Sequence, residues 1–438
     1  MTTEIDNGPE VILHIGTMKS GTSYIQAILR RNKRLLSRDG VQVPRNMVPA
    51  VVDVLGRRGA SKEAEIEGAW ERFLHLVEAW GGRSVLASQE FLSGATASEA
   101  QAVVDTLPQG KVRVVITNRD LLRVIPSHWQ TVIKNGGTWP FPEYVRLLLE
   151  GPGKDGSEHR YSRGFWRHHD VAKIIDNWGS AVGIENVVLV AVPRSGAPSK
   201  VLWQRFSEAI GVDGSHYDDE SNAQSNISLT YAETEMLREV NMKVRKPLGP
   251  VEYRLLVNKY LANKLLRKAP ETGKEPDRPT LGADSHARVE RRAAEMLEAV
   301  AASGVRVIGD LEELRVSSYK GEPDAVDTTG PRDRIPDSVP QALAKLVLRI
   351  ARLERDLDHS RKAFDPTSAP SAESPRGGGR RGGGGGSGGR RKGSGRRQGA
   401  KRAAKRAAAA QVMGDDDLDS FEATAYEGGE HEDETTDE

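Results

Sequence analysis

The stretch HIGTMKSGTSYIQ, His14–Gln26, changes its hydrophobic period within a few residues, which restricts the chain to folds that set a strand directly before a helix. Val11–Ile15 is apolar and β-prone, as a buried strand requires. Gly16 ends that run, and Tyr24-Ile25-Gln26-Ala27-Ile28-Leu29 opens an apolar-periodic helix. Between them stand Lys19, Ser20, Gly21, Thr22 and Ser23. A turn of this kind aims backbone N–H groups and the positive end of a helix dipole at one point, which suits an anion. Lys19 adds a point charge, and the three hydroxyls add donors.

Two further segments repeat the strand–helix pattern. Lys111–Asn118, KVRVVITN, is a β-branched run that ends at Arg119-Asp120, and a helix with Leu122, Ile125 and Trp129 follows. Ser127 lies eight positions after Arg119. An arginine at a strand's carboxyl end and a serine one to two turns into the next helix can close on one phosphate, the arginine through a forked charge-assisted contact. The short apolar run at 84–88 ends in Gln89-Glu90. Ligands of open α/β sheets bind beyond the carboxyl ends of the strands, so Glu90 is expected in the same crevice as Lys19 and Arg119. Each feature also has a plain structural meaning: a capped glycine turn, an ion-paired arginine, an acid at the start of a helix. His14, inside an apolar strand, is either a rival base or a satisfied core residue.

The spacing around Lys19 separates two phosphate-binding patterns. The nucleotidase loop G-x-x-x-x-G-K-[ST] sets a glycine immediately before the lysine. Here Met18 precedes Lys19, and Gly21 follows it by two. The run Lys19-Ser20-Gly21-Thr22-Ser23 resembles the 5′-phosphosulfate loop of the P-loop sulfotransferases, and Arg119 with Ser127 resembles their 3′-phosphate site, in the family's order. The resemblance implies an α/β fold with a P-loop-type open parallel sheet flanked by helices. It implies 3′-phosphoadenosine 5′-phosphosulfate as the donor co-substrate, with no metal required. A hydroxyl, less readily an amine, would be the acceptor. Lys19, Ser20, Gly21, Thr22, Ser23, Arg119 and Ser127 would hold the donor. Lys19 and Glu90 would be catalytic, Glu90 as general base, as glutamates are in several family members acting on carbohydrate or peptide hydroxyls. A saccharide, a glycolipid or a metabolite all remain open as acceptor. Two other readings stand beside this one. A P-loop kinase or NTPase is the first, although no DxD or Walker-B-like acid stands ready for Mg²⁺. A catalytically silent nucleotide-binding or RNA-associated scaffold is the second.

Along the chain, the patterning predicts strands near 10–16, 84–89, 111–118, 186–192 and 304–308. Helices are predicted near 21–36, 62–80, 97–106, 120–134, 142–150, 166–179, 199–211, 226–244, 253–266 and 287–302. Residues 8–318 form the expected α/β domain. Segments 45–60, 135–165 and 245–283 are expected as loops lining the acceptor pocket. WRHHD (Trp166–Asp170) and LWQRF (Leu202–Phe206) are expected to pack rather than to catalyse. A polar linker is expected over 319–338, then an amphipathic helix over 339–364 with Leu343, Leu346, Leu348, Ile350, Leu353 and Leu357 on its apolar face.

The charge of the 438-residue chain is distributed in blocks. Residues 376–406 carry 12 of its 63 Lys/Arg and no acid, and 415–438 carry 12 of its 62 Asp/Glu and no Lys or Arg. The rest is close to neutral. Composition alone predicts a disordered tail over 365–438, Gly/Arg-rich and then acidic. The basic stretch could make weak contacts with RNA or another anion, or be neutralised by the acidic block. With no cysteine, disulfides, thiolate nucleophiles and cysteine metal sites are excluded. The first residues, MTTEIDNGPEV, lack a basic and apolar signal region, and no apolar run reaches membrane-spanning length, so a cytoplasmic protein is expected.

Overall fold

The computed structural model describes residues 8–57, 66–108, 111–150, 160–219, 229–266, 278–322, 325–327 and 338–363. The expected tail over 365–438 lies outside them, as do parts of the expected pocket loops and linker. Six parallel strands form one open sheet in the order β2-β3-β1-β4-β5-β6. These are β1 (Glu10–His14), β2 (Val41–Gln42), β3 (Ser84–Ser88), β4 (Val112–Asn118), β5 (Val187–Ala191) and β6 (Arg306–Ile308). Five match the β-branched runs, and the two-residue edge strand β2 is too short to leave a periodic signal. β1 is central, pairing His14 with Ser88 of β3 on one side and with Val115 of β4 on the other. The chain leaves β1 toward β2 and β3 but leaves β4 toward β5 and β6, so a crevice opens at the carboxyl ends of β1 and β4.

The sheet is covered on both faces because its strands alternate two apolar sets. Val11, Leu13, Val114, Ile116 and Leu189 pack under helices Val48–Val54, Ala69–Ala79, Ala97–Asp105 and Val171–Val182. Ile12, Leu86, Val115, Val188 and Val190 pack on the other face under helices Thr22–Arg31 and Lys200–Ala209. The chain is therefore an α/β protein with a parallel sheet flanked by helices. A second apolar cluster contains no strand. It gathers helices Leu121–Lys134, Phe141–Leu149, Tyr231–Val244, Ala283–Ala302 and Ser338–Ala363, with a wide-turned π-type helix over Tyr253–Leu266. Among the described residues no helix is long and apolar enough to cross a membrane.

Four expectations are corrected. The helix predicted over 21–36 is broken at Asn32, whose side chain donates to Ile28 O and to Asp218 O and accepts from Asp218 N. The one predicted over 166–179 is two, Arg160–His169 and Val171–Val182, because Asp170 caps the second by accepting from Lys173 N and pairs with Arg292 at 2.7 Å. Segment 45–60 is not all loop: Val48–Val54 is a helix with Val48, Ala50, Val51 and Val52 in the sheet core. The C-terminal helix docks through Ala344, Val347 and Ala351 with the partly buried Leu343 and Leu348, so Leu346, Ile350, Leu353 and Leu357 of the expected apolar face stay exposed.

Candidate functional site

The turn after β1 is tied to the end of β4 before anything binds it. Thr17 N–H donates to Thr117 O and Thr117 N–H to Gly16 O. Ser20 Oγ–H donates to Thr17 O and lies 2.7 Å from Thr117 Oγ1. Thr17 Oγ–H donates to Asn118 Oδ1 at 3.1 Å. This lattice holds Lys19 at φ +61°, a left-handed conformation that a non-glycine residue adopts at a cost of about 1 kcal/mol or more. The Ser20 hydroxyl is fully buried and committed to the sheet. Thr22 is buried as well, and Ser23 is exposed.

Helix Thr22–Arg31 begins on Gly21 with no side-chain cap, and both Tyr24 N and Ile25 N turn back to Gly21 O. Gly21 has φ +88°, and a Cβ there would stand 2.6 Å from Leu202 Cδ2, so only glycine fits. An uncapped helix start beside a lysine is an anion-binding arrangement.

Arg119 stands at the carboxyl end of β4. Its Nη1–H donates to Lys19 O at 3.4 Å, so the arginine and the lysine loop are brought together as the spacing predicted. The neighbouring acid does not neutralise it. Asp120 caps helix Leu121–Lys134 by accepting from Arg123 N at 3.1 Å and forms its ion pair with Arg123 Nε. Arg119 Nε is consequently buried with no acceptor among the described residues. Burial first, and the Arg123 charge second, push its pKa down to about 10, with Asp120 opposing. An arginine that remains charged yet loses both water and a counter-ion is a site that an anion would complete. Ser127 lies half-buried in the second turn of the helix, and no hydrogen bond joins it to Arg119.

Glu90 opens the short turn Glu90–Gly94 at the end of β3. Gly16, at φ +96°, backs directly onto it: a Cβ at Gly16 would lie 3.0 Å from Glu90 Cβ. Gln26 Nε2–H donates to Glu90 Oε2 at 3.2 Å, tying the acid to the second turn of the helix Thr22–Arg31 that follows the lysine loop. His14 is a different kind of residue. Its Nδ1 meets Ser88 Oγ at 2.8 Å and its Nε2 meets Thr117 Oγ1 at 3.2 Å, so it bridges β3 and β4 through β1. Burial pushes its pKa down to about 3, and its ring packs edge-on against Phe206. It is a satisfied core histidine. Trp203 and Phe206 are likewise core, and Trp166 donates its indole N–H to Leu148 O at 2.9 Å, so these aromatics pack as expected.

Sequence reasoning missed a layer of buried histidines. His128 Nδ1 meets Tyr144 Oη at 2.6 Å, and His168 Nδ1 meets Ser93 Oγ at 2.9 Å, whose hydroxyl also donates to Glu90 O. His169 lies edge-on to His128 at 5.4 Å with both ring nitrogens buried and unpartnered among the described residues. Burial lowers all three pKa values, that of His128 to about 3, and the Lys19 charge contributes at His128 and His169. Lys19 therefore lies within electrostatic reach of this layer. Among the described residues no three His, Asp or Glu side chains converge as a metal-ligating group. The Asp170-to-Lys173 cap was the available signal, since a helix broken there turns His168 and His169 inward.

No protein-family profile and no curated protein matches the chain. Among solved structures, a sulfotransferase from Alicyclobacillus acidocaldarius is similar to it at 15% identity and a TM-score of 0.35, over 56% of this chain and 98% of its own length.

Proposed function

We propose that the chain is a sulfotransferase that moves a sulfuryl group from 3′-phosphoadenosine 5′-phosphosulfate to a hydroxyl acceptor. The observation that carries this reading is the buried, acceptor-less Nε of Arg119, held against the lysine loop by its own Nη1 bond to Lys19 O. Two cationic anion sites in contact suit a ligand with phosphate at both its 5′ and 3′ positions, which a simple nucleoside triphosphate lacks. In this reading the uncapped start of helix Thr22–Arg31 and Lys19 take the 5′-phosphosulfate, and Arg119 with Ser127 takes the 3′-phosphate. The acceptor oxygen attacks sulfur in line, its proton passes to Glu90, and the bond from sulfur to the bridging oxygen breaks. Adenosine 3′,5′-bisphosphate leaves with the electron pair. Lys19 and the loop amides stabilise the charge that grows on that bridging oxygen, the electrostatic contribution that usually dominates group transfer. Residues 8–318 are proposed as the catalytic unit.

Calorimetry with adenosine 3′,5′-bisphosphate, paired with mass spectrometry of acceptors incubated with the sulfuryl donor, tests the proposal. Tight binding with an 80-dalton sulfuryl gain on a hydroxyl compound, about the mass of SO₃, is the expected result. Preference for ATP with phosphorylated product would make the chain a kinase, and binding without turnover would make it a silent scaffold.

A further inference from the structure

The C-terminal helix Ser338–Ala363 carries two apolar faces, and the protein uses one. Ala344 and Ala351, 2% and 1% exposed, pack with Val347 into the helical cluster, and Arg355 on that side pairs with Glu252 at 2.6 Å. The other face holds Leu346, Ile350, Leu353 and Leu357, exposed by 57%, 38%, 45% and 56%. Their 4-3-4 spacing is a heptad a/d stripe, with Leu346 and Leu353 at d and Ile350 and Leu357 at a. At 100° per residue the stripe lies about a third of a turn from the docked face, so a partner helix can lie on it without displacing the domain.

We propose that this stripe is the seam of a parallel two-stranded coiled coil with a second copy of this chain. The occupant is chosen by charge and by core shape. Arg349 and Glu354, both exposed, stand at g and the following e, five residues apart. In a parallel homodimer, g of one helix faces that e of the other, so both symmetry-related pairs join opposite charges. Seven residues on, the sequence sets Asp356 and Arg361 in the same relation with the signs reversed. Ile350 at a between leucines at d is the combination that favours two parallel strands. The seam spans twelve residues, under two heptads, so it associates reversibly and not as an obligate dimer.

Sedimentation of the full-length protein at tens of micromolar, with single-cysteine crosslinking, tests the seam. The parent should sediment as a reversible dimer. L346E/L353E should be monomeric and should melt like the parent diluted until it is monomeric, because both side chains are solvent-exposed in the single chain. R349E and E354R should each weaken the dimer about tenfold, and R349E/E354R together should restore it. The chain has no cysteine, so Leu353→Cys introduces a lone thiol at a d position; oxidation should link it to its own counterpart only if the helices run parallel and in register. A monomeric parent, a dimer that survives L346E/L353E, or a Leu353→Cys dimer that fails to crosslink on oxidation overturns the proposal. A monomeric parent whose stripe retains an unrelated protein overturns it equally.

Discussion

The helix after β1 begins on Gly21 with no side chain over its first N–H groups, whereas the helix after β4 begins on Asp120, whose carboxylate takes both Arg123 N–H and Arg123 Nε. Both junctions follow a central parallel strand, and both open on the same crevice. At the first, Tyr24 N–H and Ile25 N–H turn back to Gly21 O, no side chain caps the start of the helix, and Lys19 stands just before it. At the second, the donors are closed internally, and the contribution to the crevice is a cation, Arg119, whose acid neighbour is already engaged. The difference teaches that a charged residue next to an acid is not thereby neutralised; the geometry of the cap decides which cation keeps a partner.

The comparison breaks most severely at Lys19. Lys19→Ala should lower kcat by about 10²–10³ while weakening adenosine 3′,5′-bisphosphate much less, since the bisphosphate lacks the bond whose charge Lys19 would stabilise. Equal losses in turnover and in binding would make Lys19 a ground-state anchor only. Arg119→Ala should reduce discrimination for a 3′-phosphorylated nucleotide by about tenfold to a hundredfold, as expected for one charge-assisted contact. The ligand-free protein should lose little stability, since only the long Nη1 bond to Lys19 O goes, and the upward shift that the bisphosphate gives the parent should shrink. A ligand-free melting temperature several degrees lower would show that Arg119 mainly holds the loop rather than a ligand.

The third expectation concerns the floor beneath the first junction. His14 is neutral in the fold with its pKa pushed down to about 3, against an ordinary value of 6.5. The unfolded chain therefore binds a proton between these values that the folded chain does not. Stability is complete above pH 6.5 and falls as the pH drops toward 3, by roughly 1 kcal/mol per unit for each such histidine. His14→Gln should flatten the dependence of the urea midpoint between pH 7 and 5 relative to the parent, and an unchanged slope would assign that window to other groups. The smallest effect is at the closed junction. Asp120→Ala should cost about 1 kcal/mol of stability through the lost cap, seen in chemical denaturation, while Asp120→Asn should recover most of it. A loss from Asn as large as the loss from Ala would mean that the ion pair with Arg123, not the cap, holds the helix.

Much of this was legible because it is local. The β-branched runs of β1, β4 and β5, with Gly16 ending the first, specify strands without reference to the rest of the chain. Lys19, Glu90 and Arg119 stand out in the sequence because each closely follows the carboxyl end of a strand. What stayed hidden depends on distant partners. Ser20 reads as a loop hydroxyl, yet Thr117, almost a hundred residues away, takes it inward. His168 and His169 read as part of a packing helix until Asp170, paired with Arg292, divides it. Leu346, Ile350, Leu353 and Leu357 read as part of one apolar face, yet the helix meets its cluster through Ala344, Val347 and Ala351, with Leu343 and Leu348 at the margin, because the small alanines let it pack closely on helix Tyr231–Val244.

The stitching of Gly16, Thr17 and Ser20 to Thr117 and Asn118 makes the two junctions a single rigid gauge. A loop that could flex would adapt to whatever separation of charges a ligand offered. This one sets the span between Lys19 and Arg119 through bonds within the fold, so under the proposed function the donor's binding would carry little ordering entropy. Under that proposal, selectivity becomes a matter of length. A molecule whose phosphates sit one bond too close or too far would find no loop movement to compensate, and it would forfeit one end of the site outright.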